Sequence, residues 1–162
     1  MIFVTVGNDF RNFNRLLTKI DEIAHHLPSE VLLQRGYSDY QPKNIKYFDF
    51  VPMDRAIQYI QESELVVSHA GIGTIFLCKK YGIPLIIVPR RKMFGEHMND
   101  HQLEVAAALE RREDKNIHVV YEEDRLEEII LNVLKEKTRY RPAENVGRKN
   151  LIKTIKEFLQ TI

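Results

Sequence analysis

The sequence predicts a doubly wound α/β fold with a parallel sheet. Two observations carry this. Short β-branched runs alternate with amphipathic helical stretches through most of the chain. The central runs, Ile2-Phe3-Val4-Thr5-Val6, Leu65-Val66-Val67-Ser68 and Leu85-Ile86-Ile87-Val88, are apolar with no regular alternation. Strands without a polar face are buried on both sides, as in a parallel sheet covered by crossover helices. The 162 residues suffice for one domain with a sizeable core. There is no internal repeat, and residues 1–162 read as a single Rossmann-like domain.

The elements follow in order. Ile2 to Val6 is a strand closed by Gly7. Residues 11–26 form a helix, with Phe13, Leu16, Leu17, Ile20, Ile23 and Ala24 at helical spacing and Pro28 ending it. Val31 to Gln34 is a strand, residues 36–44 a polar loop, and Lys46 to Val51 a weaker strand. A short helix spans Met53 to Gln61, and Leu65 to Ser68 is the next strand. It runs into His69-Ala70-Gly71-Ile72-Gly73-Thr74 and a helix that stops at Gly82. The most apolar strand, Leu85 to Val88, lies between Pro84 and Pro89. A charged loop covers 90–100. His101 to Arg111 is helical, His118 to Tyr121 a strand and Asp124 to Lys137 a helix. The best linker is Thr138 to Gly147, before a last amphipathic helix at about 148–160.

Composition excludes several classes. Lys plus Arg is 24 and Asp plus Glu is 23, so the net charge is +1, against a dedicated nucleic-acid binder. One cysteine, Cys78, permits no internal disulfide and fits a cytoplasmic setting. No run approaches the ~18 apolar residues of a membrane span. Cys78 lies in a helix among apolar neighbours and reads as packed rather than reactive.

Open α/β sheets bind ligands at the carboxyl ends of their strands, near the switch in strand order. Gly7-Asn8-Asp9, the segment His69 to Thr74 and the segment Pro89 to Gln102 should line one crevice there. Gly71 and Gly73 stand just before a helix, where free N–H groups and the dipole suit a phosphate. The alternative is a tight turn without a ligand. Thr74 could add a hydroxyl or cap the helix. Gly7 could bring its own N–H, or that of Asn8, to a diphosphate. Asp9 should turn away or cap the following helix. Arg90-Arg91-Lys92 could neutralise a diphosphate or remain a solvated loop. His97 and His101, four apart, would share a helix face, but the order Glu-His-x-x-x-His and the lack of a third ligand speak against a protein-bound metal. Asp100, His101 and Gln102 suit sugar hydroxyls, and Asp100 could instead be a helix cap. Ser68 and His69, adjacent at a strand end, should point to opposite sides and form no hydrolase pair.

Phe3-Val4-Thr5-Val6-Gly7, Val67-Ser68-His69-Ala70-Gly71-Ile72-Gly73-Thr74, Gly82 to Pro89 and Asp100-His101-Gln102-Leu103-Glu104 occur in that order. Together they resemble the C-terminal, donor-binding domain of family 28 (MurG-type) glycosyltransferases, over roughly residues 1–135. The likeness is greater to stand-alone versions of that domain, in the two-subunit UDP-GlcNAc transferase and in bacterial exopolysaccharide and capsule subunits. The resemblance implies a GT-B donor domain that holds a UDP-sugar as donor substrate, with no cofactor and no required metal. It implies that Gly7 and Asn8 approach the diphosphate, that His69, Gly71, Gly73 and Thr74 form a second wall, and that Asp100, His101 and Gln102 face the transferred sugar. Asp100 and His69 are its candidate catalytic residues. The reaction implied is transfer of a hexose or N-acetylhexosamine to a lipid-linked acceptor in polysaccharide biosynthesis.

Many relatives carry an acid eight positions after the histidine, on the ribose hydroxyls; here that position is Leu77. Strand one begins at residue 2, whereas an acceptor domain ordinarily precedes it, so the resemblance implies a separate, membrane-associated acceptor-binding partner that recruits the chain to the inner face of the membrane. The helix within 148–162 could dock that partner or pack on its own sheet. The alternatives are a non-catalytic accessory subunit, which Leu77 favours, and an unrelated nucleotide-binding protein. The lack of Gly-x-Gly-x-x-Gly and Walker motifs opposes the latter.

Overall fold

The computed structural model describes residues 1–137. The strands are β1 (Ile2–Thr5), β2 (Val31–Gln34), β3 (Lys46–Phe48), β4 (Leu65–Ser68), β5 (Leu85–Ile87) and β6 (Ile117–Val119). The helices are α1 (Asn14–Ile23), α2 (Met53–Glu62), α3 (Ile72–Tyr81), α4 (His101–Glu110) and α5 (Leu126–Lys137). All strand pairs are parallel and the order is β3-β2-β1-β4-β5-β6. The chain leaves β1 toward one edge and returns at β4 to build toward the other. The loops after these two neighbours diverge, which opens the crevice expected at such a switch.

Strand parity explains the two faces. Ile2, Val4 and Val6 join Leu33, Val67 and Ile86 against α1 (Leu16, Leu17, Ile20) and α5 (Leu126, Ile130). Phe3 points the other way and joins Val66, Leu85 and Ile87 against Ile60 of α2, Ile75 and Cys78 of α3 and Val105 of α4. Each fully buried aliphatic side chain contributes about 1.5–3 kcal/mol, so the continuous apolar strands are what hold helices on both faces. Cys78 is buried in this second layer, and burial pushes its thiol up to about 12. It is a packing residue.

Several boundaries differ from expectation for local reasons. α1 starts at Asn14 instead of 11, because residues 8–13 are held by other contacts, and its last turn tightens into a 3-10 turn over Ala24–His26. β3 ends at Phe48, and β6 is shifted to Ile117–Val119. The 36–44 loop has a buried anchor in α1. Asp21 accepts hydrogen bonds from the Tyr40 hydroxyl (2.9 Å) and from the Lys43 (2.9 Å) and Asn44 (2.8 Å) amides. The expected linker at 138–147 and the helix at 148–160 lie outside the described residues. Among the described residues no helix is long and apolar enough to cross a membrane.

Candidate functional site

The row of residues that ends three neighbouring strands builds the floor of the crevice. In register, Thr5 lies beside Gln34 of β2 and Ser68 of β4. The Thr5 hydroxyl donates to Gln34 Oε1 (3.1 Å) and accepts from the Gly7 amide (3.2 Å). Gln34 Nε2 reaches Asn8 Oδ1 at 3.5 Å. The turn after β1 is thus fixed by polar strand ends, and Gly7 sits in it with φ of 71°, a conformation that side chains disfavour.

Across the crevice the chain turns from β4 into α3. Gly71 is the N-cap and has no side chain to offer. The first intrahelical bond runs from the Ile75 amide to the Gly71 carbonyl (3.1 Å), so the amides of Ile72, Gly73 and Thr74 keep no acceptor within the helix. Thr74 is the third residue of α3 and is therefore not its cap.

Between the two turns stands His69. A Cβ placed on Gly7 would lie 2.4 Å from its Cε1, and one on Gly71 would lie 2.3 Å from its Nε2. The imidazole occupies a slot that exists only because both neighbours are glycine. Contrary to the expectation from strand alternation, Ser68 and His69 do meet. His69 has left the strand, and its ring folds back so that Nδ1 lies 3.2 Å from Ser68 Oγ. That hydroxyl donates to the Thr5 carbonyl at 3.0 Å, so it is committed and is no nucleophile. Burial, then the Arg90 charge, pulls the His69 pKa down to about 4, and the ring is neutral at pH 7.

These residues line a cavity of about 620 Å³, within the usual range for small-ligand sites. One end is polar, with Thr5, Gly7, Asn8, Gln34, His69 and Thr74. The other is apolar, with Val51, Met53, Ile57, Ile60, Phe76 and Leu77. Thr5, Gln34 and the 51–60 lining were missed in the sequence. A polar residue closing each apolar strand is the signal that could have found the first two.

The loop after β5 is organised differently, and the charged triplet divides. Arg90 is fully buried. Its guanidinium donates to the carbonyls of Val6 (2.9 Å), Arg11 (3.0 Å), Glu96 (3.1 Å) and Asn12 (3.3 Å), and it lies over the Phe13 ring. Burial lowers its pKa to about 10, which leaves it charged at pH 7. Arg91 donates to the Tyr121 carbonyl and to Glu122 Oε1 (2.9 Å). Only Lys92 is exposed. Asp9 caps no helix. It accepts from the Arg11 amide (2.9 Å) and pairs with the Arg11 side chain (3.1 Å).

Asp100, His101 and Gln102 lie on this side and do not line the cavity. Asp100 Oδ1 accepts from the Lys92 amide (3.0 Å). It is the N-cap residue of α4, but its side chain does not bond the helix. His101 Nδ1 lies 3.2 Å from Glu104 Oε2. Gln102 is buried, and its Oε1 accepts from the amides of Ala70 (3.2 Å) and Arg90 (3.0 Å), tying the β4 turn to the β5 loop. His97 precedes α4, so it shares no helix face with His101, and its Nδ1 lies against Asn99 (2.9 Å). Among the described residues no three potential ligands cluster for a metal ion.

Over residues 1–161 the sequence matches the glycosyltransferase family 28 C-terminal domain. The chain belongs to that family. It is 31% identical over 124 residues to the UDP-N-acetylglucosamine transferase subunit ALG13 of Homo sapiens, a match that covers 68% of this chain and 10% of the relative. The family 28 chain thus spans about a tenth of that relative's length. Solved glycosyltransferases share its fold. The kitacinnamycin glycosyltransferase superposes with a TM-score of 0.60 at 16% identity, over 98% of this chain and 38% of that one. MurG of Acinetobacter baumannii gives 0.56 at 16% identity, over 99% of this chain and 49% of that one.

Proposed function

We propose that this family 28 domain is the donor-binding, catalytic half of a two-component glycosyltransferase that uses a UDP-sugar. The observation that carries the reading is the cavity between the β1 and β4 turns. Its polar end joins two glycine turns to the N-terminus of a ten-residue helix, and its apolar end suits a nucleoside. The human relative is a UDP-N-acetylglucosamine transferase subunit, which supports both the donor class and the division into subunits.

In this reading the diphosphate lies against Gly7, Asn8, Gly71, Gly73 and Thr74. The acceptor oxygen forms its bond to the anomeric carbon while the bond to the diphosphate breaks, and UDP leaves. The free amides and dipole of α3 stabilise the charge on the leaving group, so no metal is required. Asp100, His101 and Gln102 face the sugar. The link from Gln102 to the Ala70 amide supports this, because it holds their segment next to the glycine turn. The base that takes the acceptor proton comes from a membrane-associated, acceptor-binding partner. That partner recruits this cytoplasmic chain to the membrane, where the acceptor is a lipid-linked sugar of polysaccharide biosynthesis. Candidate catalytic roles remain with Asp100 and His69.

Titration of the full chain with UDP, and with ADP as control, tests the donor assignment by amide NMR shifts. UDP-specific shifts at Gly7, Gly71, Gly73 and Gln102 are expected. Equal response to ADP would point instead to a site that does not read the base. No response to UDP with the partner present would point to a non-catalytic accessory subunit.

A further inference from the structure

Ser68 ends β4 and is fully buried. A hydroxyl carries one proton, and that of Ser68 goes to the Thr5 carbonyl. The contact between Ser68 Oγ and His69 Nδ1 at 3.2 Å therefore requires the ring to donate. In the neutral imidazole the proton then sits on Nδ1 and Nε2 is bare. Nε2 faces the slot between Gly7 and Gly71. The Thr5 backbone carbonyl also lies within reach of the ring and, as an acceptor only, calls for a donating ring nitrogen as well. A bare nitrogen lone pair repels a phosphate oxygen, whereas a protonated one gives a short, charge-assisted bond. Moving the existing proton to Nε2 would leave Nδ1 facing a hydroxyl that has no proton to give.

We infer that Ser68 is a positioning residue that fixes the His69 proton on Nδ1, so that a nucleotide-sugar diphosphate enters this slot together with one proton, taken up at Nε2. The proton comes from solvent, and no bond to the sugar is involved. The inference rests on the reading of the crevice as a donor site. The charged groups around the ring set the balance. Arg90 from the β5 loop and His97 oppose protonation, while Asp9 from the β1 turn and the Thr5 carbonyl favour it. The first turn of α3 carries no acid, and its dipole opposes protonation as well. Burial dominates in the free protein, which holds the ring neutral. An incoming diphosphate adds the negative charge that reverses this.

The test is calorimetric titration of the full chain with UDP-N-acetylglucosamine at pH 6, in two buffers of different ionisation enthalpy. Each phosphate of this probe carries one ester and shares the anhydride bridge, which leaves only strongly acidic hydroxyls, so no group of the ligand titrates near that pH. Uptake approaching one proton per ligand is expected. Affinity should rise about tenfold for each pH unit lowered between the free and bound pKa values. Ser68→Ala, which frees the other tautomer, should bind with uptake falling toward zero, and His69→Gln should show none. Nitrogen NMR of His69 in the free wild-type protein should report Nδ1 protonated, independently of any ligand. Nε2 protonated there would overturn the role of Ser68. Binding without proton uptake would overturn the coupling and leave the donor site standing. No binding of the probe at millimolar concentration, with or without the partner, would overturn the donor reading and the coupling with it.

Discussion

Two regions at the carboxyl ends of the strands invite comparison. The crevice between the β1 and β4 turns holds no Lys or Arg in its lining and is open. The junction between the β1 and β5 loops holds Arg11, Arg15, Arg90 and Arg91 and is closed upon itself. Arg15, for example, makes a bidentate pair with buried Glu96 at 2.9 Å. The cations are consumed by the protein's own carbonyls and carboxylates. What remains for an anion is backbone, uncharged polar side chains, one neutral imidazole and a helix end. Local charge in a sequence therefore marks the brace here, and the absence of charged side chains marks the site.

The sharpest way to break this comparison is to remove the brace. Arg90→Met leaves four carbonyls without their donor and strips Asp9 and Glu96 of a buried counter-charge. A loss of about 3–5 kcal/mol in urea denaturation is expected. Lys92→Ala, two residues on and exposed, should change stability by no more than ~0.5 kcal/mol. Equal effects would mean that the triplet acts as a surface patch after all.

The second effect is acid sensitivity, and it belongs to the crevice. His69 has an ordinary value of 6.5 and a folded value of about 4. The unfolded chain therefore binds this proton first as pH falls. Stability supplied by the neutral ring is intact above about pH 6.5 and is lost as pH drops toward 4, by up to about 3 kcal/mol. His69→Gln should flatten the stability profile over that window. Denaturation of both proteins at pH 7 and pH 4.5 checks it, and parallel profiles would contradict the half-buried, neutral ring.

The same contrast explains what the sequence discloses. The fold was legible because β1, β4 and β5 are apolar on both faces, a pattern that only a covered parallel sheet satisfies. The glycines and His69 were legible as a strand-to-helix turn. The role of Arg90 was not, because a charge run reads the same whether its side chains reach solvent or fold inward over Phe13. Nor was the Ser68–His69 contact, since the alternation rule lapses where the strand ends. Much of the apolar lining, Val51, Met53, Ile57 and Ile60, comes from α2 and the segment before it, which carry no motif.

A smaller effect separates the two glycines of the α3 turn. A Cβ on Gly71 meets the His69 ring at 2.3 Å, while one on Gly73 meets nothing within 4 Å. Gly71→Ala should displace the ring and weaken UDP at least tenfold, about 1.4 kcal/mol. Gly73→Ala lies inside the helix and should stabilise the free protein by about 0.5–1 kcal/mol. If phosphate approaches that backbone closely, the same variant loses affinity while it gains stability. A variant that gains both would remove Gly73 from the site.

The smallest effect concerns the apolar end of the crevice. Leu77 lines it, with Met53, Ile57 and Phe76 for company, and none of these can hydrogen-bond a ribose. With no side chain there to reward a 2′-hydroxyl, UDP and 2′-deoxy-UDP should bind with affinities within about threefold of each other, since a hydroxyl left in solvent changes little. Leu77→Glu supplies an acceptor at that wall. A charge-assisted bond to a ribose hydroxyl is worth about 1.5–3 kcal/mol when well formed, offset here by partial desolvation of the carboxylate. A several-fold gain for UDP with no gain for the deoxynucleotide is therefore expected in parallel titrations. Strong preference for UDP in the unmodified chain would show that ribose is read by the backbone turns, and the division of the crevice into a reading end and a silent end would have to be redrawn.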